Sequence, residues 1–326
     1  MSDASIFTEL RPLLFGIAYR MTGSAAEADD VVQDAYLRWA RVDASCVESP
    51  RAYLTTIVTR LAIDRLRSAR ARRETYKGPW LPEPILVEEA DSGHVPAGLG
   101  DPFGSIDAVG AGGPTALEGT AREGGELADS LSLAFLVLLE ELAPSERAAF
   151  LLRDVFVYEY DEIAECLGRS EPACRQLVSR ARRRIGDRRR RFDADRQAGR
   201  ELARKFVLAC STGDMEELMS LLTEDVIVWT DGGGRVKAAL KPIVGPERAS
   251  RFLTHVSKSL PGGSTMREGI VNGQPGFVLE LEGSAIHAVV LDVLGGRIAG
   301  VRVVSNPEKL TAVSEVRARG RPPLLE

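Results

Sequence analysis

The chain is poor in histidine and cysteine. It has three histidines, His94, His255 and His287, and four cysteines, Cys46, Cys166, Cys174 and Cys210, in 326 residues. None stands at a spacing that a zinc site uses and no Cys-x-x-Cys is present, so neither a metal, a cofactor nor a disulfide framework is expected. The Gly-x4-Gly-Lys-Ser/Thr phosphate cradle is also missing. No apolar run approaches the ~18 residues of a membrane helix. The first residues, MSDASIFTEL, are acidic and mixed rather than signal-like. These lacks argue against a metal site and a membrane span, and a reducing cytoplasm fits them best.

What is present is segregated charge. The net charge is only −5, yet residues 50–78 carry eight Lys/Arg against two Asp/Glu, and residues 169–192 carry ten against two. Between them, residues 79–126 carry nine acidic residues against the single Arg122. One basic run is ordinarily a solvated helix face. Two, each on an expected helix, suggest two contacts with a polyanion.

Residues 5–41 read as helical, with Leu10, Leu13, Leu14, Ile17 and Ala18, then Val31, Val32, Ala35, Tyr36 and Trp39, at helical spacing. Thr22-Gly23-Ser24 separates the two stretches, and Ser24 with Glu27 forms a capping box. Ser49-Pro50 opens a long helix with Tyr53, Leu54, Ile57, Leu61 and Leu66 on one face and Arg60, Arg67 and Arg70 off it. Residues 79–126, rich in glycine, proline and acid, read as linker. Within it Trp80-Leu81-Pro82-Glu83-Pro84 has the stiffness of a docking anchor. Residues 129–192 are helical again, with Leu131, Phe135, Leu138 and Leu142 as one stripe and a second helix from Pro144 to about Val155. From Arg200 to about Leu310 two helices, Leu202–Cys210 and Met215–Leu222, precede strands at 226–230, 235–239, 266–272, 276–282, 285–293 and 297–304, with hairpin signals at Asn272-Gly273 and Gly295-Gly296. This is a separate α+β domain.

The segment YDEIAECLGRSEPACRQLVSRARRRI, 160–185, is the most informative. A short helix ends at Gly168. A second opens with Ser170 as N-cap and Pro172 in its first turn. Cys174, Val178, Ala181 and Ile185 fall on one buried face, leaving Arg175, Gln176, Ser179, Arg182 and Arg183 outward, the pattern of a helix-turn-helix aimed at a DNA groove. On this reading Cys174 is a core residue rather than a redox centre.

With EADDVVQDAYLRWAR (27–41) and SPRAYLTTIVTRLAIDRLRSARARRE (49–74) added, the sequence resembles the extracytoplasmic-function sigma factors, the two helical blocks looking like their regions 2 and 4. WLPEP (80–84), DGGGR (231–235) and NPEKL (306–310), in that order, resemble the subgroup with a C-terminal SnoaL-like domain. The resemblance implies two all-α sigma domains, 1–78 and 127–195, joined by the linker 79–126, then a cone-shaped α+β SnoaL-like (nuclear-transport-factor-2-like) domain, 196–310, and a tail, 311–326. It implies core RNA polymerase and the −35 and −10 promoter elements as partners of a chain that is a monomer when free. Asp30, Gln33 and Asp34 would meet the polymerase. Arg60, Arg65, Arg67, Arg70 and Arg72 would follow the opened −10 DNA, although the family often has asparagine where Arg60 stands. The fused domain would regulate the sigma domains in cis through Trp80, Pro82, Asp231, Gly232, Gly233, Gly234, Arg235, Asn306 and Pro307. The alternative is an ordinary helix-turn-helix regulator whose C-terminal domain senses an unknown small ligand.

Relatives of such domains include proton-abstracting isomerases, so Asp225, Asp231, Asp292 and His287 are the acid–base groups to locate. In VWTDGGGRV, 228–236, the three glycines read as a tight strand-to-strand turn, with one glycine more than the turn requires. The third suggests that another part of the chain approaches closely.

Overall fold

The computed structural model describes residues 3–43, 46–73, 76–87, 130–186 and 196–313. The acidic linker from 88 to 126, the tail beyond 313 and the side chains of Arg70 and Arg72 lie outside the described residues. The described residues fall into two compact units, one of 3–73, 130–131 and 135–186, the other of 76–87, 132–134 and 196–313.

The first unit is helical. Helices α1 (Asp3–Thr22), α2 (Ala25–Trp39) and α3 (Pro50–Arg73) form one block. Ser24 Oγ accepts from the Glu27 amide at 3.1 Å and Ser49 Oγ from the Ala52 amide at 3.3 Å, so the expected caps start α2 and α3. Leu14, Ile17, Val31, Trp39, Leu54 and Leu66 are buried, whereas Tyr36 of the expected stripe is 40% exposed, with Phe7 edge-on to its ring.

The second block holds α4 (Leu133–Leu139), α5 (Pro144–Phe150), a π turn (Leu151–Val155), α6 (Tyr160–Leu167) and α7 (Glu171–Ile185). Of the stripe expected over 131–142, Leu131, Phe135 and Leu142 are buried. The helix is shorter and buries Leu133, Leu136 and Leu139 besides Phe135, while Leu138 is half-buried. An element covered on more than one side does not reveal its face by period alone. Gly168 ends α6 at φ 62°, and the Arg169 amide returns to the Ala164 carbonyl at 2.9 Å. Ser170 occupies the N-cap of α7 in extended backbone, but its hydroxyl makes no cap hydrogen bond.

The second unit is α+β. Strand β1 (Leu86–Val87) comes from the segment after the first block; then follow α8 (Arg196–Thr212), α9 (Met215–Leu221), β2 (Leu222–Asp231), β3 (Ile243–Val244), α10 (Pro246–Lys258), β4 (Thr265–Val271), β5 (Gln274–Leu281), β6 (Ser284–Leu294) and β7 (Arg297–Val304). The strand order is β1-β4-β5-β6-β7-β2-β3. Asn272-Gly273 and Gly295-Gly296 turn β4 into β5 and β6 into β7, as their sequence predicts. Phe206 of α8, Leu218 of α9 and Leu253 of α10 pack on Val226, Val228, Phe277, Val289 and Leu291 in one core. Alternation sends Trp229 and Asp231 of β2 to the opposite face.

Two expectations fail here. Residues 235–239 form no strand: β2 runs parallel to β7 and meets β3 at Ile243–Val244 instead. The Thr230 side chain pairs with Ala239, its Oγ1 accepting from the amide at 2.8 Å and donating to the carbonyl at 3.2 Å, and so stands in for a ladder rung. Helix α10, absent from the sequence reading, buries Ala249, Ser250, Leu253 and Thr254 on one face.

A candidate regulatory site and nucleic-acid interface

The three short motifs come together in the second unit around one carboxylate. Asp231, at the end of β2, is fully buried. Its Oδ1 accepts from the Tyr76 hydroxyl at 2.6 Å and the Gly233 amide at 3.0 Å. Its Oδ2 accepts from the Leu81 amide at 2.8 Å and Lys309 Nζ at 2.7 Å. Its main-chain carbonyl takes the amides of Ser305 and Asn306. The carboxylate is thereby saturated, and a buried charge needs that saturation to be tolerated.

Lys309 closes the arrangement. Its Nζ also donates to the Leu81 carbonyl at 2.6 Å, and lies 4.8 Å from the Tyr76 ring centroid and 4.4 Å from that of Trp80. Asn306 caps the 3-10 turn Pro307–Lys309 by accepting from the Glu308 amide, while its Nδ2 donates to Tyr76 Oη at 3.0 Å. Burial, followed by the hydrogen bond and charge of Asp231, raises the Tyr76 phenol above its ordinary value, so it stays a donor. Leu81, Pro82, Pro84 and Leu86 are buried and Trp80 is half-buried, so Leu81 is the deeper anchor. Residues 76–87 thus form a strap fastened at a second point. The Ile85 amide donates to Asn272 Oδ1, the Asn272 amide donates back to the Ile85 carbonyl, and β1 adds to the edge of β4.

Each glycine of the DGGGR loop meets a different demand. A Cβ on Gly232 would lie 2.5 Å from the Val236 carbonyl oxygen. One on Gly233 would lie 2.3 Å from Asn306 Nδ2, and the residue stands at φ 59°. Gly234, at φ 71°, would meet only the Lys77 side chain, at 3.0 Å. The close approach expected of the surplus glycine is therefore real, and Asn306 makes it at Gly233. Arg235 pairs with Glu308 at 2.7 Å, both about two-thirds exposed (66% and 64%), which contributes little.

Trp80, Pro82, Asp231, Gly232–Gly234, Arg235, Asn306 and Pro307 are thus all at or beside this site. Sequence reasoning omitted Tyr76, Lys309 and Asn272. Lys309 was within reach, because NPEKL and DGGGR hold two opposite charge pairs to match, Asp231 with Lys309 and Arg235 with Glu308. Tyr76 lies before the expected boundary at 78 and had no signal of its own.

The acid–base groups have separate side-chain partners. Asp225 is exposed and accepts from Thr223. Asp292 pairs with buried Arg302 at 2.8 Å, and Arg302 stacks 4.0 Å over Trp229. His287 Nδ1 meets Ser305 Oγ at 2.7 Å. No cluster of metal-ligating groups occurs among the described residues. Cys166, Cys174 and Cys210 are buried and their thiols are pushed up by burial, Cys210 to about 12, so they are inert core groups. Burial pushes the His287 imidazole down, so the folded domain takes its proton less readily than the unfolded chain does. Its contribution to stability is present above the ordinary histidine pKa of ~6.5 and is lost as pH falls below that. The urea midpoint is expected to fall between about pH 7.5 and about pH 5.5, and less so in His287→Gln.

In the first unit Arg175, Gln176, Ser179, Arg182 and Arg183 are exposed on α7, opposite buried Cys174, Val178, Ala181 and Ile185. With Tyr160, four of them (Arg175, Ser179, Arg182 and Arg183) line an open cleft of about 430 Å³. Asp154 holds Arg182 bidentately at 2.6 and 3.0 Å and raises its pKa, and the Arg175 guanidinium lies 4.2 Å over the Tyr160 ring. Asp30 and Gln33 are exposed and Asp34 is half-buried on α2. Arg65 stands 3.7 Å from both Asp30 and Asp34, and Arg67 pairs with Asp64. Arg60 instead donates to the carbonyls of Cys166 and Glu165, at 2.9 and 3.2 Å.

Residues 6–72 match the Sigma-70 region 2 family and residues 132–185 the Sigma-70 region 4 family. The chain is 33% identical to the ECF RNA polymerase sigma factor SigJ of Mycobacterium tuberculosis, over 98% of this chain and 97% of that protein. It is 28% identical to SigG of the same organism, over 92% and 80%. The crystal structure of M. tuberculosis SigJ superposes with a TM-score of 0.69 at 32% identity, covering 95% of this chain and 98% of that one. Two sigma blocks followed by an α+β domain, alike over nearly the whole length, settle the relationship: the chain belongs to the extracytoplasmic-function RNA polymerase sigma factors.

Proposed function

We propose that this sigma factor is regulated in cis by its C-terminal domain, which holds residues 76–87 as a bound segment. The saturated Asp231 carboxylate carries this reading, because two of its four donors come from the strap and two from the domain. A segment tethered to its receptor is held at high effective concentration, so even a modest contact stays closed until a partner competes. The sigma blocks do the reading. Arg175, Gln176, Ser179, Arg182 and Arg183 of α7 meet the −35 element, and Arg65, Arg67, Arg70 and Arg72 follow the −10 strand. Asp30, Gln33 and Asp34, with Leu37 51% exposed beside them, face core polymerase. The polymerase supplies the chemistry; the chain contributes binding energy and works in the cytoplasm as a monomer when free.

Promoter-directed run-off transcription tests the regulatory reading with the full chain, a truncation at about 200 and one at about 305. The first truncation leaves the strap without a receptor. The second removes Asn306 and Lys309 but keeps β7. The expected result is a different output from each; equal output from all three contradicts it.

A further inference from the structure

Helix α10 carries a line of cations that its own domain leaves largely unpaired. Its inner face buries Ala249, Ser250, Leu253 and Thr254. At about 100° per residue, Arg248, Arg251, His255 and Lys258 fall together on the other side, within an arc of about 80°. All four are exposed. At ~1.5 Å per residue they cover about 15 Å of helix axis. Glu247, paired with Arg251 at 2.5 Å, is the one acidic residue of the helix. Among the described residues no carboxylate pairs with Arg248, His255 or Lys258. The helix keeps this line against its own electrostatics. Arg248 and Arg251 stand at i,i+3, where like charges repel. Arg248, in the first turn, also sits at the positive end of the helix, where a cation is disfavoured. Lys258, in the last turn, does suit the negative end, so only that end of the line serves the helix itself.

We propose that this face of α10 is a further DNA contact, which follows the phosphates of the promoter duplex without reading its sequence. Charge argues for the partner. Duplex DNA carries a negative charge about every 1.7 Å of its axis, so 15 Å of basic helix lies against several phosphates at once. Connection argues for it as well. Residues 186–195 join the recognition helix α7 to α8, and α10 packs against α8. A domain tethered in this way to a groove-bound α7 meets the flanking duplex at high effective concentration. Neither Asp231 nor residues 76–87 take part, so this contact stands or falls apart from the strap.

The test is the salt dependence of promoter-duplex binding by the full-length sigma factor on core polymerase. Each phosphate contact adds about 0.9 to the slope of log affinity against log salt. Arg248→Gln, Arg251→Gln and Lys258→Gln together should lower that slope by roughly 2–3. Between about 50 and about 200 mM salt the wild type should therefore lose ~10- to 40-fold more affinity than the triple variant. The change in slope should be the same on a duplex of equal length with a scrambled −35 element, since no base is read. Arg248→Lys with Arg251→Lys should keep the wild-type slope, because phosphates demand charge rather than a guanidinium fork. Arg204→Gln with Arg297→Gln, which removes two exposed cations elsewhere in the domain, should keep it too. A wild-type slope in the triple variant overturns the proposal. So does an equal fall in the Arg204/Arg297 control, which would trace the effect to the domain's overall charge. Tighter binding by the triple variant also overturns it, and would assign the face to the chain's own acidic residues at 79–126.

Discussion

Asp231→Ala is expected to release the strap. The substitution strands the Lys309 ammonium, whose side chain is only 10% exposed, and leaves the Leu81 amide and Tyr76 hydroxyl without their acceptor. Removing one partner of a buried ion pair costs about 3–5 kcal/mol, because the remaining charge stays desolvated. Amide hydrogen exchange reads this at Leu81, where protection should fall on the order of 100-fold. Adding Lys309→Met to Asp231→Ala should recover part of the loss, since the stranded charge is gone. If Leu81 remains equally protected in the single variant, the carboxylate does not fasten the strap.

Gly233→Ala is expected to have the next largest effect. Its Cβ would overlap Asn306 Nδ2, and the left-handed backbone at φ 59° disfavours any side chain. Asn306 cannot withdraw without giving up its bond to Tyr76 and the cap on Glu308. Strain and displacement together come to about 2–4 kcal/mol. Gly234→Ala is the control. It shares the positive φ, but its neighbour is the flexible side chain of Lys77, so the cost should be only about 1 kcal/mol. Thermal unfolding of both variants checks the contrast. Equal losses would mean that backbone conformation alone, and not Asn306, requires glycine at 233.

Much of this was legible in the sequence because local chemistry decided it. Ser24, Ser49-Pro50, Gly168 and Pro172 marked helix ends, and Asn272-Gly273 and Gly295-Gly296 marked hairpins, all by short-range rules. The outward face of α7 followed from its apolar spacing. What escaped depended on distant partners. The DGGGR loop read as a hairpin because nothing nearby announces that β2 pairs in parallel with β7. Residues 86–87 read as linker because two residues make a strand only when β4 offers an edge. The contacts of Arg60 with the Cys166 and Glu165 carbonyls had no signal, because those acceptors lie more than 100 positions away. Tyr76 and Lys309, separated by most of the chain, meet only once the strap is docked.

The central claim is that docking of the strap on Asp231 sets the output of the sigma factor. Run-off transcription on one promoter template, with wild-type and Asp231→Ala protein matched for retention on core polymerase, tests it most directly. The account predicts that output changes by about fivefold or more, the scale of a coupling of ~1 kcal/mol. Equal output, with Leu81 shown by hydrogen exchange to be released, would contradict it.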